Sequence, residues 1–376
     1  MLVARLEAAI PGVRCVISTT TQTGMEIALK RFENHTVFYF PLDFSWAVKN
    51  ALKRIQPTAV VLAELEVWPN FTYYARRAGV KILVANGRIS DKSFPAYRRG
   101  KWILQSAFRR IDAVISQSES VSQRFIELGV EANRVHTVGS IKFDGAKTDR
   151  NSPAVTAVKN LTGRNADGFY WSGLNDNEIV FLAGSTQEPE EEMALDVFES
   201  LQSAFPTLRL ILVPRHPERF EDVAQMLAKR QVPFIRRTEL NGADSFSEKD
   251  SGLPQAKILL VNAMGELGAW WGTAQIAFVG GSMGSRGGQN MLEPAAYGAA
   301  VSFGPNTGNF RDIVAILLQS SAAKVVHNTE ELREFVQTLL TQAELREEMG
   351  NRARNVVLSQ QGAADKTIEI IRQAIE

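Results

Sequence analysis

The residues best suited to chemistry lie between positions 276 and 312, where glycines and polar side chains follow an apolar run. The run 276 to 279 ends in Gly280 and Gly281, as a buried parallel strand does when its backbone must approach another group closely. A glycine-rich loop occupies residues 284 to 288, and Asn290 can cap a helix that holds Glu293 near its start. A carboxylate in that position can accept hydrogen bonds from the hydroxyl groups of a sugar.

A second polar loop, residues 306 to 309, follows the short apolar run 301 to 303. We expect both loops at the carboxyl ends of neighbouring strands, where open α/β sheets bind their ligands. A single glycine pair is typical of an ordinary turn, but the whole succession favours a binding site.

Arg215 follows another apolar run, 209 to 214, and its guanidinium can bind a phosphate through two parallel hydrogen bonds. The alternative for Arg215 is a surface ion pair. Residues 264 to 266 (Met-Gly-Glu) follow the apolar run 257 to 261 in the same way. These residues are therefore expected at the same sheet edge as the glycine loops.

The composition is that of a globular protein of 376 residues with 45% hydrophobic and 22% charged residues, long enough for two domains. The single Cys15 excludes a disulfide framework, and four histidines offer no zinc-binding spacing. No apolar run reaches the ~18 residues of a membrane helix. We expect neither a metal site nor a cofactor.

Positive charge is concentrated in the first half, where residues 1 to 150 contain 22 Lys and Arg against 13 Asp and Glu, compared with 20 against 28 in the remainder. Ten basic residues lie between Arg76 and Arg110, interleaved with aromatic ones, and they suit an anionic polymer or a lipid headgroup layer. The alternative is a solvated basic helix, and no helix-turn-helix pattern supports nucleic acid. Arg88, Arg98, Arg99 and Lys101 are the residues of this stretch that we expect at such an anionic surface.

Short apolar runs alternate with amphipathic segments along the chain, which predicts an α/β protein with doubly wound parallel sheets. The pattern lapses into Gly, Asn, Asp and Ser between residues 144 and 177, where we place a linker. The predicted domains are therefore residues 1–147 and 148–376, and a polar loop is expected at residues 241 to 252.

Six blocks in this order resemble the 3-deoxy-D-manno-octulosonic acid (Kdo) transferase family. They are residues 64–70 (ELEVWPN), 86–90 (NGRIS), 139–144 (GSIKFD), 214–220 (PRHPERF), 264–267 (MGEL) and 287–293 (GGQNMLE). The resemblance implies the GT-B fold, with two Rossmann-like domains facing a cleft. It also implies metal-independent, inverting transfer of Kdo from CMP-Kdo to a lipid A precursor (lipid IVA), at the cytoplasmic face of a Gram-negative inner membrane, during lipopolysaccharide synthesis.

The same resemblance assigns roles to individual residues. Glu66 matches a carboxylate that stabilises the transition state, and Lys142 matches a cation that balances charge on the leaving phosphate. A paired structural carboxylate is the alternative for Glu66, and a solvated hinge lysine is the alternative for Lys142. The donor-binding residues would be Pro214, Arg215, Met264, Gly265, Glu266, Asn290, Met291, Leu292 and Glu293. The chain departs from the family at Gln289 and Met291, where His and Pro are usual.

The general base of the family is a Glu in a Ser-Val-Gly-Glu block that would match a position upstream of Met1. Since Met1 to Leu6 read as the end of an amphipathic helix, we expect further sequence before them, and we expect this chain to bind CMP but to transfer Kdo poorly. Two other hypotheses remain open: a non-catalytic binder of CMP-sugar or lipid, and a GT-B-shaped sugar-nucleotide epimerase that recognises UDP.

Overall fold

The computed structural model describes residues 1–241 and 253–376, and within them the chain forms two compact α/β units. The first unit comprises Met1–Gly145 and Gln360–Glu376, and the second comprises Ala146–Ser359. Of the polar loop predicted at residues 241 to 252, all but Asn241 lie outside the described residues.

The strands of the described residues are short. They are β1 (Val16–Thr19), β2 (Thr36–Tyr39), β3 (Ala59–Ala63), β4 (Lys81–Gly87), β5 (Ala113–Ser116), β6 (Val135–Thr137), β7 (Thr162–Arg164), β8 (Tyr170–Trp171), β9 (Ile179–Thr186), β10 (Leu208–Pro214), β11 (Phe234–Arg236), β12 (Leu240–Asn241), β13 (Ile258–Leu260), β14 (Ile276–Val279), β15 (Ala300–Phe303) and β16 (Ala323–Val325).

Helices connect most of these strands. They are α1 (Leu2–Ala9), α2 (Gln22–Arg31), α3 (Ser45–Ile55), α4 (Pro69–Arg77), α5 (Phe94–Arg99), α6 (Lys101–Phe108), α7 (Glu119–Leu128), α8 (Pro153–Lys159), α9 (Glu190–Leu201), α10 (Arg219–Lys229), α11 (Leu267–Trp270), α12 (Leu292–Ala296), α13 (Arg311–Gln319), α14 (Thr329–Thr341), α15 (Ala343–Gln360) and α16 (Ala363–Ile375).

The first unit contains two parallel sheets, β1-β2 and β3-β4-β5-β6, rather than the single sheet that the alternation predicts. Ile82, Val84 and Val114 project from β4 and β5 into a core that Phe108 and Phe125 complete. Their strand residues are buried on both faces, as is usual for parallel sheets covered by helices. Helices α5 and α6 follow one another between β4 and β5 and are separated by Gly100.

Helix α16 belongs to the first unit, which corrects the predicted domain of residues 148–376. Ile371 of α16 is fully buried and packs against Leu83 of β4 and Ile115 of β5. The Asp144 carboxylate accepts hydrogen bonds from the N–H groups of Gly362 (2.6 Å) and Ala364 (3.0 Å) at the start of this helix. An amphipathic pattern shows that a helix has an apolar face, but it does not show which sheet covers that face.

The second unit is built on a parallel sheet of order β11-β13-β10-β9-β14-β15-β16. Strand β9 comes first along the chain and pairs with β10 on one side and β14 on the other, so the strand order reverses there. In open α/β sheets this reversal is where ligands bind. The carboxyl ends of β13, β10, β9, β14 and β15 meet at one edge of this sheet.

The predicted linker between residues 144 and 177 is instead structured. It contains α8, whose Val155 and Val158 are buried, and strands β7 and β8, which form a small sheet with β12. Each of these elements is too short for its apolar residues to repeat at helix or strand spacing, so the sequence pattern is irregular here.

Candidate functional site

The predicted donor-binding residues lie at one edge of the second unit's sheet. Arg215 follows β10, and its N–H donates to Thr186 O of β9 (3.0 Å). Gly280 follows β14, and its N–H donates to Gly184 O of β9 (2.9 Å). Residues 264 to 266 follow β13, and residues 290 to 293 lie beyond β14. The expected common edge is therefore present, and it coincides with the reversal of strand order.

The Gly280-Gly281 turn approaches a carboxylate of the protein itself. Glu190 is only 1% exposed, and it accepts hydrogen bonds from the N–H groups of Gly281 (2.7 Å), Ser282 (2.9 Å) and Met283 (2.9 Å). A fourth bond comes from the N–H of Gln187 (2.9 Å). A Cβ at Gly280 would lie 2.6 Å from Glu190 Oε2, so glycine is required there. These N–H groups are occupied and do not face an anionic ligand.

Glu190 is a residue that sequence reasoning missed. It begins α9 within the run Glu190–Glu192, which has the appearance of an exposed acidic first turn. The signal that could have identified it is its position four residues after β9, in a unit that also contains the glycine-rich loop after β14.

The second polar loop is joined to the first, as expected for neighbouring strand ends. Asn306 Nδ2 donates to Met283 O (3.1 Å), and Asn309 Nδ2 donates to Arg286 O (2.8 Å). Ser282 Oγ accepts from the N–H of Gly304 (2.8 Å). Side-chain amides and a hydroxyl therefore hold the two loops together.

Asn290 organises the segment that leads into α12. Its Oδ1 accepts from the N–H of Leu292 (3.1 Å), and its Nδ2 donates to Glu293 Oε1 (3.0 Å). The helix begins at Leu292, so Asn290 stands one residue before the N-cap, Met291, instead of occupying it. Glu293 is half-buried, with its carboxylate oriented by Asn290.

Three of the predicted donor-binding residues have buried side chains. Pro214, Met291 and Leu292 pack inside the unit. Met291 is fully buried, and a Cβ at Gly288 would lie 3.0 Å from its Cε, so it supports the glycine loop. Only backbone atoms of these three residues can face a ligand.

The guanidinium of Arg215 is exposed and makes no hydrogen bond or ion pair with the described part of the chain. Arg219, one turn further along, behaves differently, because its NH2 donates to Glu191 (3.1 Å) and its NH1 donates to Glu188 (3.2 Å). The surface ion pair considered as the alternative for Arg215 is absent among residues 1–241 and 253–376. Arg215 thus remains available to an anion.

Glu266 has protein partners that the sequence did not indicate. Its two oxygens accept from Arg237 Nε (2.8 Å) and NH2 (2.9 Å), and Oε2 also accepts from Trp270 Nε1 (3.2 Å). The pair fixes the loop after β13, where Met264 is exposed and Gly265 has a positive φ of 87°. The exposed part of this loop is therefore Met264 and Gly265, with Glu266 as its anchor.

Buried polar atoms without hydrogen-bond partners are found beside this edge. Among the described residues they include Thr186 Oγ1, Glu191 Oε1 and Arg219 Nε. Burial raises the pKa of Glu191, and the charge of Arg219 only partly opposes this effect. The second unit therefore contains an incompletely satisfied polar cluster at the carboxyl end of β9.

In the first unit, Glu66, Arg88 and Lys142 follow β3, β4 and β6, so they lie beyond the same ends of one parallel sheet. Glu66 is exposed, and its Oε2 accepts from Trp68 Nε1 (3.1 Å). Lys142 is exposed, and the turn before it is held by Asn86, whose Oδ1 accepts from the N–H of Ile141 (3.3 Å). Arg88 is half-buried.

The predicted membrane surface is carried by α5 and α6. Arg98 and Arg99 are exposed at the end of α5, and Lys101 is half-buried at the start of α6. Trp102, the next residue, is 82% exposed. Arg76, another cation of the basic stretch, has a partner within the protein, because its NH1 donates to Asp112 (2.7 Å).

None of the helices among the described residues has the length and apolar character needed to cross a bilayer. The described residues also contain no group of three or more His, Cys, Asp or Glu side chains arranged to hold a metal ion.

Residues 1–145 match a family model described as 3-deoxy-D-manno-octulosonic-acid transferase (kdotransferase). A 3-deoxy-D-manno-octulosonic acid transferase of Haemophilus influenzae is 30% identical over 377 residues, covering 100% of this chain and 83% of the relative. The similarity to that enzyme therefore extends over the whole length of this chain.

Two solved structures are similar in fold. UDP-GlcNAc 2-epimerase from Neisseria meningitidis has a TM-score of 0.60 at 12% identity, covering 99% of this chain and 95% of that one. A glycosyltransferase from Rickettsia africae has a TM-score of 0.55 at 14% identity, covering 99% and 93%. At these identities the likeness shows the fold alone, and it confirms the predicted GT-B class with two Rossmann-like halves.

Proposed function

Because this chain belongs to the 3-deoxy-D-manno-octulosonic acid transferase family, we propose that it transfers Kdo from CMP-Kdo to a lipid A precursor, lipid IVA. Membership makes it a glycosyltransferase; the donor, the acceptor and the residue roles are the proposal. The observation that supports it is that Arg215, which has no side-chain partner among residues 1–241 and 253–376, follows β10, while Glu293, oriented by Asn290, lies beyond β14, on the two sides of the strand where the order reverses.

The donor side of the proposal uses the second unit. The exposed guanidinium of Arg215 binds the phosphate of CMP, for which its planar fork of donors is suited. Glu293, oriented by Asn290, accepts hydrogen bonds from the ribose hydroxyls. Met264 and Gly265, on the loop that the Arg237–Glu266 pair anchors, contact the cytidine base.

The transfer step uses two residues of the first unit. The bond between the anomeric carbon of Kdo and the phosphate oxygen of CMP breaks while an acceptor hydroxyl attacks from the opposite face, which inverts the sugar centre. CMP leaves with the electron pair of the broken bond, and the attacking hydroxyl loses its proton to water. Lys142 balances negative charge that develops on the leaving phosphate, and Glu66 stabilises positive charge on the sugar. Fixed charges where charge develops contribute several kcal/mol to catalysis. A monophosphate leaving group needs less charge compensation than a diphosphate, so we propose a metal-independent reaction.

The acceptor side uses the basic surface of Arg88, Arg98, Arg99 and Lys101. A lipid A precursor carries phosphates and lies in a membrane, so these cations suit both the acceptor and the surrounding anionic lipids. We propose that the protein works as a peripheral enzyme at the cytoplasmic face of the inner membrane of a Gram-negative cell.

Calorimetric titration of the full chain with CMP tests the donor site. Arg215→Ala and Glu293→Ala should each weaken CMP binding by about 1.5 to 3 kcal/mol, the scale of hydrogen bonds to charged groups. Arg333→Ala is the matched control, because Arg333 pairs with Glu330 on the surface of α14. Unchanged affinity in both site variants would remove these residues from the site.

The remaining hypotheses are separated by two further measurements. Tighter binding of UDP than of CMP would favour an epimerase, although membership of the Kdo transferase family argues against epimerase activity. A transfer assay with CMP-Kdo and lipid IVA distinguishes an enzyme from a non-catalytic binder. In that assay Glu66→Gln and Lys142→Gln should lower kcat while the affinity for CMP stays unchanged.

A further inference from the structure

The loop of residues 214–219, which we call the Arg215 loop, is attached to the start of α9 by an ion pair. Arg219, the last residue of this loop and the first of α10, donates from NH2 to Glu191 (3.1 Å) and from NH1 to Glu188 (3.2 Å). Only 2% of the Glu191 side chain is exposed, compared with 78% of the Glu188 side chain. One guanidinium therefore bridges a buried and an exposed carboxylate at the beginning of α9.

The other end of the Arg215 loop is attached to β9 at an irregular point of the sheet. The register between β9 and β10 shifts between Val213 and Pro214, and Ser185 of β9 is the extra residue, with a left-handed φ of 54°. A bulge of this kind turns the strand locally and is common beside functional sites. Beyond the bulge, the N–H of Arg215 donates to Thr186 O (3.0 Å). Both ends of the loop are therefore fixed, one by the end of β9 and the other by α9.

The first turn of α9 holds both loops that carry the proposed donor ligands. Glu190 accepts from the N–H groups of residues 281 to 283, on the way to Glu293. Glu191, the next residue, accepts from Arg219 of the Arg215 loop. Consecutive residues of an α-helix point about 100° apart, so two adjacent carboxylates can reach two different loops. The start of α9 is therefore a common support for the loop after β14 and the loop after β10.

The ion pair between Glu191 and Arg219 contributes little to stability for the burial that it requires. Among the described residues, Glu191 Oε1 and Arg219 Nε are buried without a hydrogen-bond partner, and burial raises the pKa of Glu191. Apolar residues of similar volume often stabilise a fold as well as a buried ion pair does. They do not fix a direction, however, whereas a planar guanidinium binds carboxylates in defined orientations. The pair is therefore better suited to orienting a loop than to stabilising the unit.

We propose that Glu191 and Arg219 are positioning residues for the donor phosphate. Their ion pair fixes the Arg215 loop so that the exposed guanidinium of Arg215 meets the phosphate of CMP in the orientation for two parallel hydrogen bonds. This role rests on the proposed function, because Arg215 is the phosphate ligand there. Glu191 and Arg219 act through Arg215 and make no contact with the ligand themselves.

Calorimetric titration of the full chain with CMP and with cytidine tests this role, because cytidine lacks the phosphate. Arg219→Met keeps much of the side-chain volume and removes the guanidinium. It should weaken CMP binding about tenfold, as expected when a hydrogen bond to a charged group is misdirected. Cytidine affinity should change by less than about twofold. Glu191→Gln combined with Arg219→Met should give the same result, and this double variant leaves no unpaired buried carboxylate to destabilise the fold.

A second titration shows whether the pair acts through Arg215. In a protein that already carries Arg215→Ala, the addition of Arg219→Met should weaken CMP binding no further, because the group that the pair positions is gone. Arg230→Met is the matched control and should bind CMP as the wild type does. Arg230 also bridges α10 to α9, through Asp196 (2.8 Å) and Glu199, but it lies at the opposite end of α10 from the Arg215 loop.

Three results would overturn the positioning role. CMP affinity within about twofold of the wild type in both Arg219 variants would show that the loop keeps its geometry without the pair. Equal weakening of CMP and cytidine would show a general loosening of the donor site. Further weakening in the Arg215→Ala protein would show that the pair acts by another route. In each case the proposed donor site stands if Arg215→Ala alone weakens CMP binding, and it fails if Arg215→Ala has no effect.

Discussion

The buried carboxylates of the first two residues of α9, Glu190 and Glu191, have different hydrogen-bond partners. Glu190 receives four backbone N–H groups and holds the turn after β14. Glu191 is equally buried, but it has Arg219 at 3.1 Å and one oxygen without a partner among the described residues. Glu190 thus organises the donor loop, whereas burial raises the pKa of Glu191.

Glu190→Gln should disorder the turn at residues 280 to 283. The new amide group places N–H donors against backbone N–H donors, and each unpaired buried donor costs about 1 to 3 kcal/mol. We expect CMP affinity to fall at least about tenfold, as measured by calorimetry. Glu192→Gln, an exposed change on the same helix turn, should have no effect on CMP binding. Wild-type affinity in Glu190→Gln would show that the turn does not support the donor site.

Glu191→Gln should change how stability depends on pH. Because burial raises the pKa of Glu191 above the ordinary glutamate value of 4.5, the folded state holds the proton more tightly than the unfolded state. The contribution of Glu191 to stability is therefore greatest below pH 4.5, falls as pH rises through the raised pKa, and is constant above it. Denaturant unfolding of both proteins across that range should show this decline in the wild type and not in Glu191→Gln. Unfolding free energies that change with pH in the same way in both proteins would contradict this role of Glu191.

At the scale of elements, α16 is fixed by a residue outside it. Its N-cap, Gly362, has no side chain, and the Asp144 carboxylate supplies the missing acceptors. A negative charge at a helix N-terminus also interacts favourably with the helix dipole. The docking of α16 on β4 and β5 therefore depends on the turn that follows Lys142.

Asp144→Asn should loosen α16 locally. The amide can accept only one of the two N–H groups and lacks the charge, which costs about 1 kcal/mol. Hydrogen exchange followed by mass spectrometry should show faster exchange in α16. The matched control is Asp176→Asn, because Asp176 is exposed and pairs with Lys159 in the second unit. Equal exchange in both variants would argue against the capping role.

At the scale of the whole molecule, the chain forms one unit from two separate segments. Residues 146 to 359 fold as the second unit between Gly145 and Gln360. The last residues of the chain therefore contribute to the core of the first unit, where Ile371 covers Leu83 and Ile115.

Deletion of residues 361 to 376 should destabilise the first unit and spare the second. The loss of α16 exposes fully buried apolar residues of β4 and β5, and each large side chain contributes about 1.5 to 3 kcal/mol when buried. Hydrogen exchange should increase throughout β4 and β5, whereas β9 and β10 should keep their protection and CMP should still bind. Increased exchange in β9 and β10 instead would assign α16 to the second unit, as the sequence had predicted.

The sequence by itself determined the α/β class, most strands and the shared edge of the donor residues. Strands such as β3 and β14 are short apolar runs bounded by polar or glycine residues, and this local pattern is sufficient to find them. Parallel strands place their carboxyl ends at one edge, so Arg215, residues 264 to 266 and Glu293 could be grouped without coordinates. The six blocks that resemble the Kdo transferases indicated the family.

Only the tertiary structure decided which polar group meets which. Glu190 binds N–H groups about 90 residues away, and Glu266 pairs with Arg237 although either could have faced solvent or ligand. It also decided that α16 covers the first unit and that Met291 is a packing residue. The reason is physical: periodicity reports which side of an element is buried, whereas hydrogen-bond and ion-pair partners depend on distances between elements far apart in the chain.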